Sequence, residues 1–276
     1  MEVLLLGTGS ADGWPNPWCS APCCADRLAA GEIRTPTSAL VDRTVLIDPG
    51  PEAARQAVRS GVSLAQVSDV LITHAHHDHL DAAFLMHRTW GDNPPLRVVG
   101  PQPVIDECRR WLAPDQRTVR LVPVTAGSRL SLGDYQVRVL PAAHQALGEA
   151  CLYLVHAPGA TLLWATDTGP WPPGTPQLLA GTHLGLVCLE ETFGDRDDLA
   201  GQHHHHSLRT FAAAVAQLRD WGCLTASTEV IAVHLSHHNP APEVLRQRLR
   251  RVGARIEDDG ARIMIGGPGF PGSSLA

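Results

Sequence analysis

Residues 73–79, THAHHDH, contain an HxHxDH motif, in which three imidazoles and a carboxylate lie within six residues. The motif begins where the apolar run 70–73 ends, and such a run is typical of a buried strand. Alternate side chains of a loop at that point can turn toward one centre, and imidazole and carboxylate groups are common ligands of zinc. Solvation of a surface loop does not explain this spacing, so the motif predicts a metal site. Its candidate ligands are His74, His76, Asp78 and His79.

Other histidine and acidic residues follow further predicted strands, namely His144, Asp167, Glu190 and His234. Sites in open α/β sheets gather at the carboxyl ends of strands. We therefore expect His144, Asp167 and His234 to join the first motif, since two hydrolytic metal ions need about three protein ligands each. The spacing leaves open whether Glu190 faces the site or caps the segment that follows it.

Short apolar runs and helix-like patterns alternate along the chain and must position these residues. The strand-like runs are residues 2–6, 44–48, 70–73, 97–99, 119–124, 137–140, 152–156, 161–165, 184–189, 229–233 and 263–265. The helix-like patterns are residues 51–60, 103–112, 207–221 and 242–252, each opened by proline or serine. This alternation predicts an α/β fold. We expect one domain over residues 1–265 and a disordered tail over residues 266–276, which are rich in Gly, Pro and Ser.

Composition excludes several functional classes. With 22 basic and 28 acidic residues the net charge is −6, which argues against a basic nucleic-acid-binding arm. Every basic residue is arginine, so no lysine can form a Schiff base or a phosphate-loop contact. The apolar runs are far shorter than the ~20 residues of a membrane helix. The start MEVLLLGTGS lacks a basic signal region, so we expect a cytoplasmic protein.

The order of these motifs resembles the metallo-β-lactamase superfamily. The matching features are an early glycine-rich turn (7–9), the HxHxDH motif, and then His144, Asp167 and His234. The resemblance implies a four-layer αββα sandwich with the metal site at one edge of its two sheets. It also implies two Zn²⁺ ions, with Mn²⁺ or Fe as alternatives for the same donors. By resemblance, one metal takes His74, His76 and His144. The other takes Asp78, His79 and His234, and Asp167 bridges the two.

Within that superfamily the sequence is most similar to phosphodiesterases that open a phosphoribosyl cyclic phosphate during phosphonate breakdown. The likeness lies in the opening 6–13, in residues 205–208 and in residues 233–238. A second likeness, to the hydrolase domain fused to actinobacterial adenosylcobinamide kinases, lies in residues 14–17, 165–169 and 189–195. These likenesses imply a dinuclear hydrolase, specifically a phosphodiesterase acting on a small nucleotide or sugar (cyclic) phosphate.

The resemblance also supplies candidate catalytic residues, His205 and Asp78. His205 would act as the general acid that protonates the leaving alkoxide. His203, His204 and His206 compete for this role, because the register within the histidine run is ambiguous, and a histidine-rich surface loop that only tunes access is the plainer alternative.

A cysteine cluster near the start of the chain is the third candidate metal site. Similar cyclic phosphodiesterases carry CxCxxC there and bind a structural zinc together with a late histidine. Here Cys19 and Cys24 match the outer positions, Ala21 occupies the middle position, and Cys23 directly precedes the last cysteine. A third, structural Zn²⁺ held by these three cysteines and His237 is one reading, and free loop thiols are the other.

Other functions remain open from the sequence. The same ligand set suits an iron oxygenase or a biosynthetic redox protein, a cobalamin- or cofactor-pathway accessory hydrolase, or a metal-stabilised binding module. We expect a small phosphate-containing substrate, no membrane partner and no nucleic acid, because the chain is acidic. A homodimer is compatible with the sequence.

Overall fold

Two seven-stranded sheets form the middle of the molecule in a computed structural model that describes residues 1–113, 115–144 and 148–266. The strands of the first sheet are β1 (Glu2–Gly7), β2 (Ser38–Val41), β3 (Val45–Ile47), β4 (Asp69–Leu71), β5 (Leu96–Gly100), β6 (Val119–Pro123) and β14 (Arg262–Met264). Their spatial order is β14-β1-β2-β3-β4-β5-β6. The strands from β3 to β6 pair in parallel, so their carboxyl ends share one edge.

The second sheet has a similar plan. Its strands are β7 (Arg129–Leu132), β8 (Tyr135–Pro141), β9 (Cys151–Ala157), β10 (Ala160–Ala165), β11 (Leu186–Glu190), β12 (Glu229–Val233) and β13 (Arg255–Ile256). They lie in the order β13-β12-β11-β10-β9-β8-β7. The strands from β10 to β13 pair in parallel and likewise end at a common edge.

The helices are short and lie between the strands in sequence. They are α1 (Pro22–Ala30), α2 (Ala53–Arg59), α3 (Ala83–Arg88), α4 (Gln102–Arg110), α5 (Thr175–Leu179), α6 (Asp197–His203), α7 (Leu208–Asp220) and α8 (Pro242–Arg250). Among the described residues, none of the helices is long and apolar enough to cross a membrane.

Strand alternation explains how the layers are built. In β1, Val3 and Leu5 belong to the core between the two sheets, whereas Leu4 and Leu6 face the helices on the other side. Successive strand side chains point to opposite faces, so a strand that is apolar at every position is buried on both faces. All four of these side chains are at most 1% exposed.

The outer apolar faces are covered by helices. Side chains of α2, α3 and α4 pack in the cluster on the outer face of the first sheet. Phe211 and Leu218 of α7 and Leu245 of α8 pack on the outer face of the second sheet. The result is an αββα sandwich, which confirms the predicted fold class.

Sequence patterns located part of the described helices and most of the described strands. The four helix-like patterns correspond to α2, α4, α7 and α8, whereas α1, α3, α5 and α6 were not predicted. The strands β2, β7 and β13 were also missed, and β13 has only two residues, too few to show a period. The predicted tail beyond residue 266 lies outside the described residues.

Candidate metal centre

The candidate ligands follow the carboxyl ends of strands in both sheets. The HxHxDH segment follows β4 of the first sheet, while Asp167 follows β10 and His234 follows β12 of the second. Asp167 and His234 have positive φ angles of 49° and 59°. Non-glycine residues rarely adopt this conformation, which costs energy and concentrates at functional sites. Here it occurs where the chain turns sharply out of each strand.

One group of ligand atoms is rich in imidazole. His74, His76, His144 and Asp167 each offer an atom, and these atoms all lie within 4.8 Å of one another. His74 Nε2 lies 2.8 Å from His76 Nδ1, and His144 Nε2 lies 3.2 Å from the same nitrogen. His74 Nε2 is also 3.5 Å from Asp167 Oδ2.

A second group lies on the other side of Asp167. It comprises Asp78, His79, Asp167 and His234, again with all ligand atoms within 4.8 Å of one another. Asp167 Oδ1 is 3.2 Å from both His79 Nε2 and His234 Nε2. Asp167 is therefore common to both groups, with Oδ2 toward the first and Oδ1 toward the second. All four residues of this group are buried.

The charges of this second group depend on one another. Burial opposes ionisation of Asp167, but His234 and His79 outweigh that effect and hold its pKa well below its usual value. Burial also opposes a charge on His79, yet Asp167 and Asp78 raise its pKa well above the ordinary value. Buried carboxylates of this kind need compensating positive charge.

The residues present fit divalent cations. Both ring nitrogens of His79 are buried without a hydrogen bond, although Asp78 Oδ2 lies only 3.0 Å from Nε2. The nitrogen and the carboxylate oxygens are thus close but poorly aligned for hydrogen bonding, as expected of ligands directed at a common ion. Imidazole and carboxylate donors suit zinc, and also manganese or iron.

A buried carboxylate that the sequence reasoning missed orients His79. Asp48 is fully buried, and its Oδ2 lies 3.2 Å from His79 Nδ1. The same carboxylate accepts hydrogen bonds from the Thr73 backbone N–H (2.8 Å) and from Trp164 Nε1 (2.9 Å). Metal-binding histidines usually contact such a group through their second nitrogen. Asp48 directly follows β3, so the same strand-end signal that identified the other ligands could have found it.

Two threonines contact other candidate ligands in a similar way. Thr73 Oγ1 is 3.1 Å from His74 Nδ1, and Thr192 Oγ1 is 2.9 Å from His234 Nδ1. Thr192 also donates a very short hydrogen bond to Glu190 Oε2. These contacts fix the ring orientations, and the sequence carried no signal for them.

His205 lies beside both groups and is held by Glu190. Its Nδ1 is 3.1 Å from Glu190 Oε1, and its ring centroid is 4.9 Å from that of His144 and 5.2 Å from that of His234. Burial opposes the charged form of His205, but Glu190 outweighs it and raises the pKa of His205 to about 9. Glu190 therefore faces the site, which answers the question that its spacing left open.

The other histidines of the run point elsewhere. His203 ends α6 and is exposed, and His204 caps that helix with a positive φ of 58°. His206 is buried and its Nδ1 lies 3.0 Å from Thr210 Oγ1 in α7. The capping box between Ser207 and Thr210 starts α7 and sets this register.

The second carboxyl after β11 has a different environment. Glu191 is fully buried, and its Oε1 accepts a hydrogen bond from the Gly194 backbone N–H at 2.9 Å. Burial raises the pKa of Glu191 to about 8. Glu191 thus holds the turn that follows β11.

The cysteine cluster is arranged differently from the predicted loop. Pro22 starts α1, so Cys23 and Cys24 lie on a helix, about 100° apart around its axis. His237 Nδ1 lies 2.6 Å from Asp12 Oδ2, and the Cys23 thiol donates to the backbone carbonyl of His237 at 3.6 Å. Among the described residues, these cysteines and His237 do not form a group with all ligand atoms within 4.8 Å. A structural zinc there stays a prediction.

Comparison with known proteins identifies related sequences. Residues 43–235 match the profile of the beta-lactamase superfamily domain. A ribonuclease Z of Mycobacterium bovis is 27% identical over 288 residues, covering 96% of this chain and 95% of that protein. A ribonuclease Z of Mycolicibacterium gilvum is 28% identical over 203 residues, covering 66% of each chain.

Solved structures share the fold at low sequence identity. Zn²⁺-bound PqqB from Methylobacterium extorquens superposes with a TM-score of 0.77 at 17% identity, covering 96% of this chain and all of that one. A diphosphatase from the PhnP family superposes with a TM-score of 0.71 at 20% identity, covering 95% and 96% of the two chains. The human short form of tRNase Z has a TM-score of 0.68 at 17% identity, covering 97% of this chain and 100% of that one. The expectation that nucleic acid is not a partner finds no support in relatives named ribonuclease Z.

Proposed function

Because the chain belongs to the beta-lactamase superfamily and is a metal-dependent hydrolase, we propose that it is a phosphodiesterase acting on a small nucleotide or sugar phosphate, including cyclic ones. One observation carries the proposal. His205 is held by Glu190 and lies against His144 and His234, one from each ligand group. A proton donor beside a two-metal centre is what cleavage of a phosphodiester with an alkoxide leaving group requires.

The two ligand groups support one assignment of the metal ligands. We infer that His74, His76 and His144 hold one ion, that Asp78, His79 and His234 hold the other, and that Asp167 is shared. Two divalent cations at such a centre supply Lewis acidity to the phosphoryl group and activate water. Zinc is the ion we favour for this donor set, with manganese or iron as alternatives.

His205 and Asp78 are the groups we assign to proton transfer. With Nδ1 of His205 directed at Glu190, the proton on Nε2 is available to the leaving oxygen. Asp78 Oδ2 lies 3.0 Å from His79 Nε2 and 3.3 Å from His234 Nε2. We assign to Asp78 both metal binding and acceptance of the proton from the attacking water.

The charges around His205 favour a small substrate. Arg196 pairs with Asp198 at 2.6 Å and Arg209 with Asp197 at 2.7 Å, and Arg248 pairs with Asp195. These arginines are already neutralised by aspartates of the segment 195–198. A long polyanion is gripped by several cations that are free to contact phosphates, and these three arginines are engaged with carboxylates instead.

Cleavage of RNA is the second candidate function. It is favoured by the match to ribonuclease Z from Mycobacterium bovis, which covers nearly the whole of both chains. The two functions differ in what they need outside the metal centre, because RNA cleavage requires a positively charged surface and therefore depends steeply on salt.

The test uses two diesters and a pair of matched variants. Bis(p-nitrophenyl) phosphate has a leaving group that departs without a proton, whereas a 2′,3′-cyclic nucleotide releases an alkoxide. Replacing His205 by asparagine should lower kcat for the cyclic nucleotide by roughly 10²- to 10⁴-fold and affect the aryl diester far less. His204→Asn is the control, since His204 is exposed and asparagine tolerates its positive φ.

Elemental analysis of the same preparations completes the test. We expect two zinc or manganese ions per chain in the parent and in both variants. A single iron without hydrolysis of either diester would overturn the proposal in favour of redox chemistry. Salt-sensitive cleavage of RNA with a kcat/KM far above that of both diesters would replace it with the nuclease.

A further inference from the structure

An aromatic side chain outside the metal centre lies beside the general acid. The Phe193 ring is only partly buried, and its centroid is 5.7 Å from that of His205 in an edge-on arrangement. Two more imidazoles flank it, with ring centroids 5.7 Å away for His203 and 5.6 Å away for His238. Neither of these is in a ligand group. The mechanism proposed above gives Phe193 and its two flanking histidines no role.

The backbone around Phe193 is held from two sides. Phe193 N–H and Thr192 N–H both donate to the carbonyl of His206 at 3.1 Å. On the other side, a Cβ on Gly194 would lie 2.9 Å from the carbonyl oxygen of His238, and Gly194 has a positive φ of 52°. Only glycine allows this close approach without strain. The ring is thus presented from a fixed backbone while remaining partly open to solvent.

We propose that Phe193 is a specificity-determining residue that stacks on the nucleobase of the leaving nucleoside, so that the preferred substrates are phosphodiesters whose leaving oxygen belongs to a nucleoside. The inference rests on the proposed function, because it takes His205 as the donor to that oxygen. Whatever group receives the proton of His205 must lie next to His205, and Phe193 is in ring contact with His205.

The side chains around Phe193 favour a nucleobase over an aliphatic group as the bound part of the substrate. Every nucleobase has a π face that stacks on an aromatic ring, and a pre-fixed ring loses little conformational entropy on binding. The flanking imidazoles of His203 and His238 add hydrogen-bonding nitrogens at the rim. A base also carries polar edge atoms, which these nitrogens can contact while the rings stack.

Two substrates that differ only in the leaving base provide the test. One is a dinucleoside monophosphate, and the other is the same diester with an abasic leaving ribose, so the leaving oxygen has the same chemistry in both. The parent enzyme should prefer the first in kcat/KM by roughly 5- to 150-fold, the range typical of one stacked base. Phe193→Leu should abolish that preference while leaving kcat/KM for the abasic diester unchanged. Phe193→Tyr keeps an aromatic ring and should retain the preference. As a control, Trp111→Ala removes an exposed ring at the C-terminal end of α4, and it should change neither the base preference nor the turnover of the abasic diester.

Calorimetry on the same compounds gives a readout that does not need turnover. Base-dependent affinity that is lost in Phe193→Leu supports stacking even if neither diester is cleaved, in which case only the proposed function fails. Equal loss for both diesters in Phe193→Leu would overturn the inference, since it would mean that Phe193 merely supports His205. A base preference that survives Phe193→Leu and Phe193→Ala, with the variants melting within a few degrees of the parent, would overturn it as well.

Discussion

Replacing Asp48 by asparagine should weaken metal binding while leaving every assigned metal ligand in place. The carboxylate accepts hydrogen bonds from Thr73 N–H at 2.8 Å, from Thr73 Oγ1 at 3.0 Å and from Trp164 Nε1 at 2.9 Å, and its Oδ2 faces His79 Nδ1 at 3.2 Å. Asparagine has one acceptor oxygen and an NH₂ group. It therefore leaves at least one donor without an acceptor, and it removes the negative charge beside His79.

The size of the effect follows from these contacts. Removing the partner of a metal-binding histidine costs roughly 10- to 100-fold in metal affinity, equivalent to about 1.4–2.8 kcal/mol. A buried donor left unsatisfied costs a further 1–3 kcal/mol or so in the free energy of unfolding. Since Asp48 is fully buried, water cannot replace the lost acceptor.

Competition with a zinc chelator measures the affinity, and denaturant unfolding of metal-free protein measures the stability. Trp164→Phe is the matched control, because it removes one donor to Asp48 and keeps the carboxylate facing His79. We expect this control to lose stability and to keep its zinc affinity within about threefold of the parent's. If folded Asp48→Asn protein holds two metals as tightly as the parent, the assigned role of Asp48 is refuted.

Three further substitutions test the site. In Glu190→Gln, burial remains while the charge that raises the pKa of His205 to about 9 is lost, so that pKa should fall. The acid must be protonated to act, so the alkaline limb of the kcat/KM profile should move to lower pH with metal content unchanged, and an unmoved limb would contradict the pairing. Asp167→Asn should bind less metal, measured by elemental analysis, and should lose turnover. Full turnover in this variant would exclude Asp167 as a ligand shared by the two metals. Gly50→Ala places a Cβ 2.0 Å from the carbonyl oxygen of Asp78 and should destabilise the fold by roughly 1–3 kcal/mol in thermal melts, a cost that an unchanged melting temperature would disprove.

The residues brought together at the metal centre were named from the sequence because each follows a strand. The strand β8 is antiparallel to both of its neighbours but runs in the same direction as β10. The carboxyl ends of strands that run in the same direction meet at one edge of a sheet. Naming His144, Asp167 and His234 therefore needed no knowledge of the distances between strands. The residues that hydrogen-bond to these candidate ligands are harder to predict. Thr192 reads as an ordinary loop threonine, and only the approach of β12 to β11 brings it within 2.9 Å of His234.

The cysteine segment is where local sequence reasoning was least complete. The resemblance left a structural zinc on Cys19, Cys23 and Cys24 open against free loop thiols, and neither interpretation included the helix that Pro22 begins. Asp12, in the glycine-rich opening of the chain, is hydrogen-bonded to Ser10, Asn16 and His237. Contacts such as the one to His237 join residues 225 positions apart, and no short-range pattern reports them.

The glycine-rich turn after β1 depends on residues from the far end of the described chain. Thr8 Oγ1 donates to Asp259 at 2.6 Å, and the buried guanidinium of Arg34 contacts both Thr8 and the aspartate at 258. β14 then pairs with β1. The turn after β1 is therefore fixed only when residues about 250 positions later along the chain have taken their places. The second ligand group likewise cannot be complete before His234 is in place, because it joins residues 78 and 79 to residues 167 and 234.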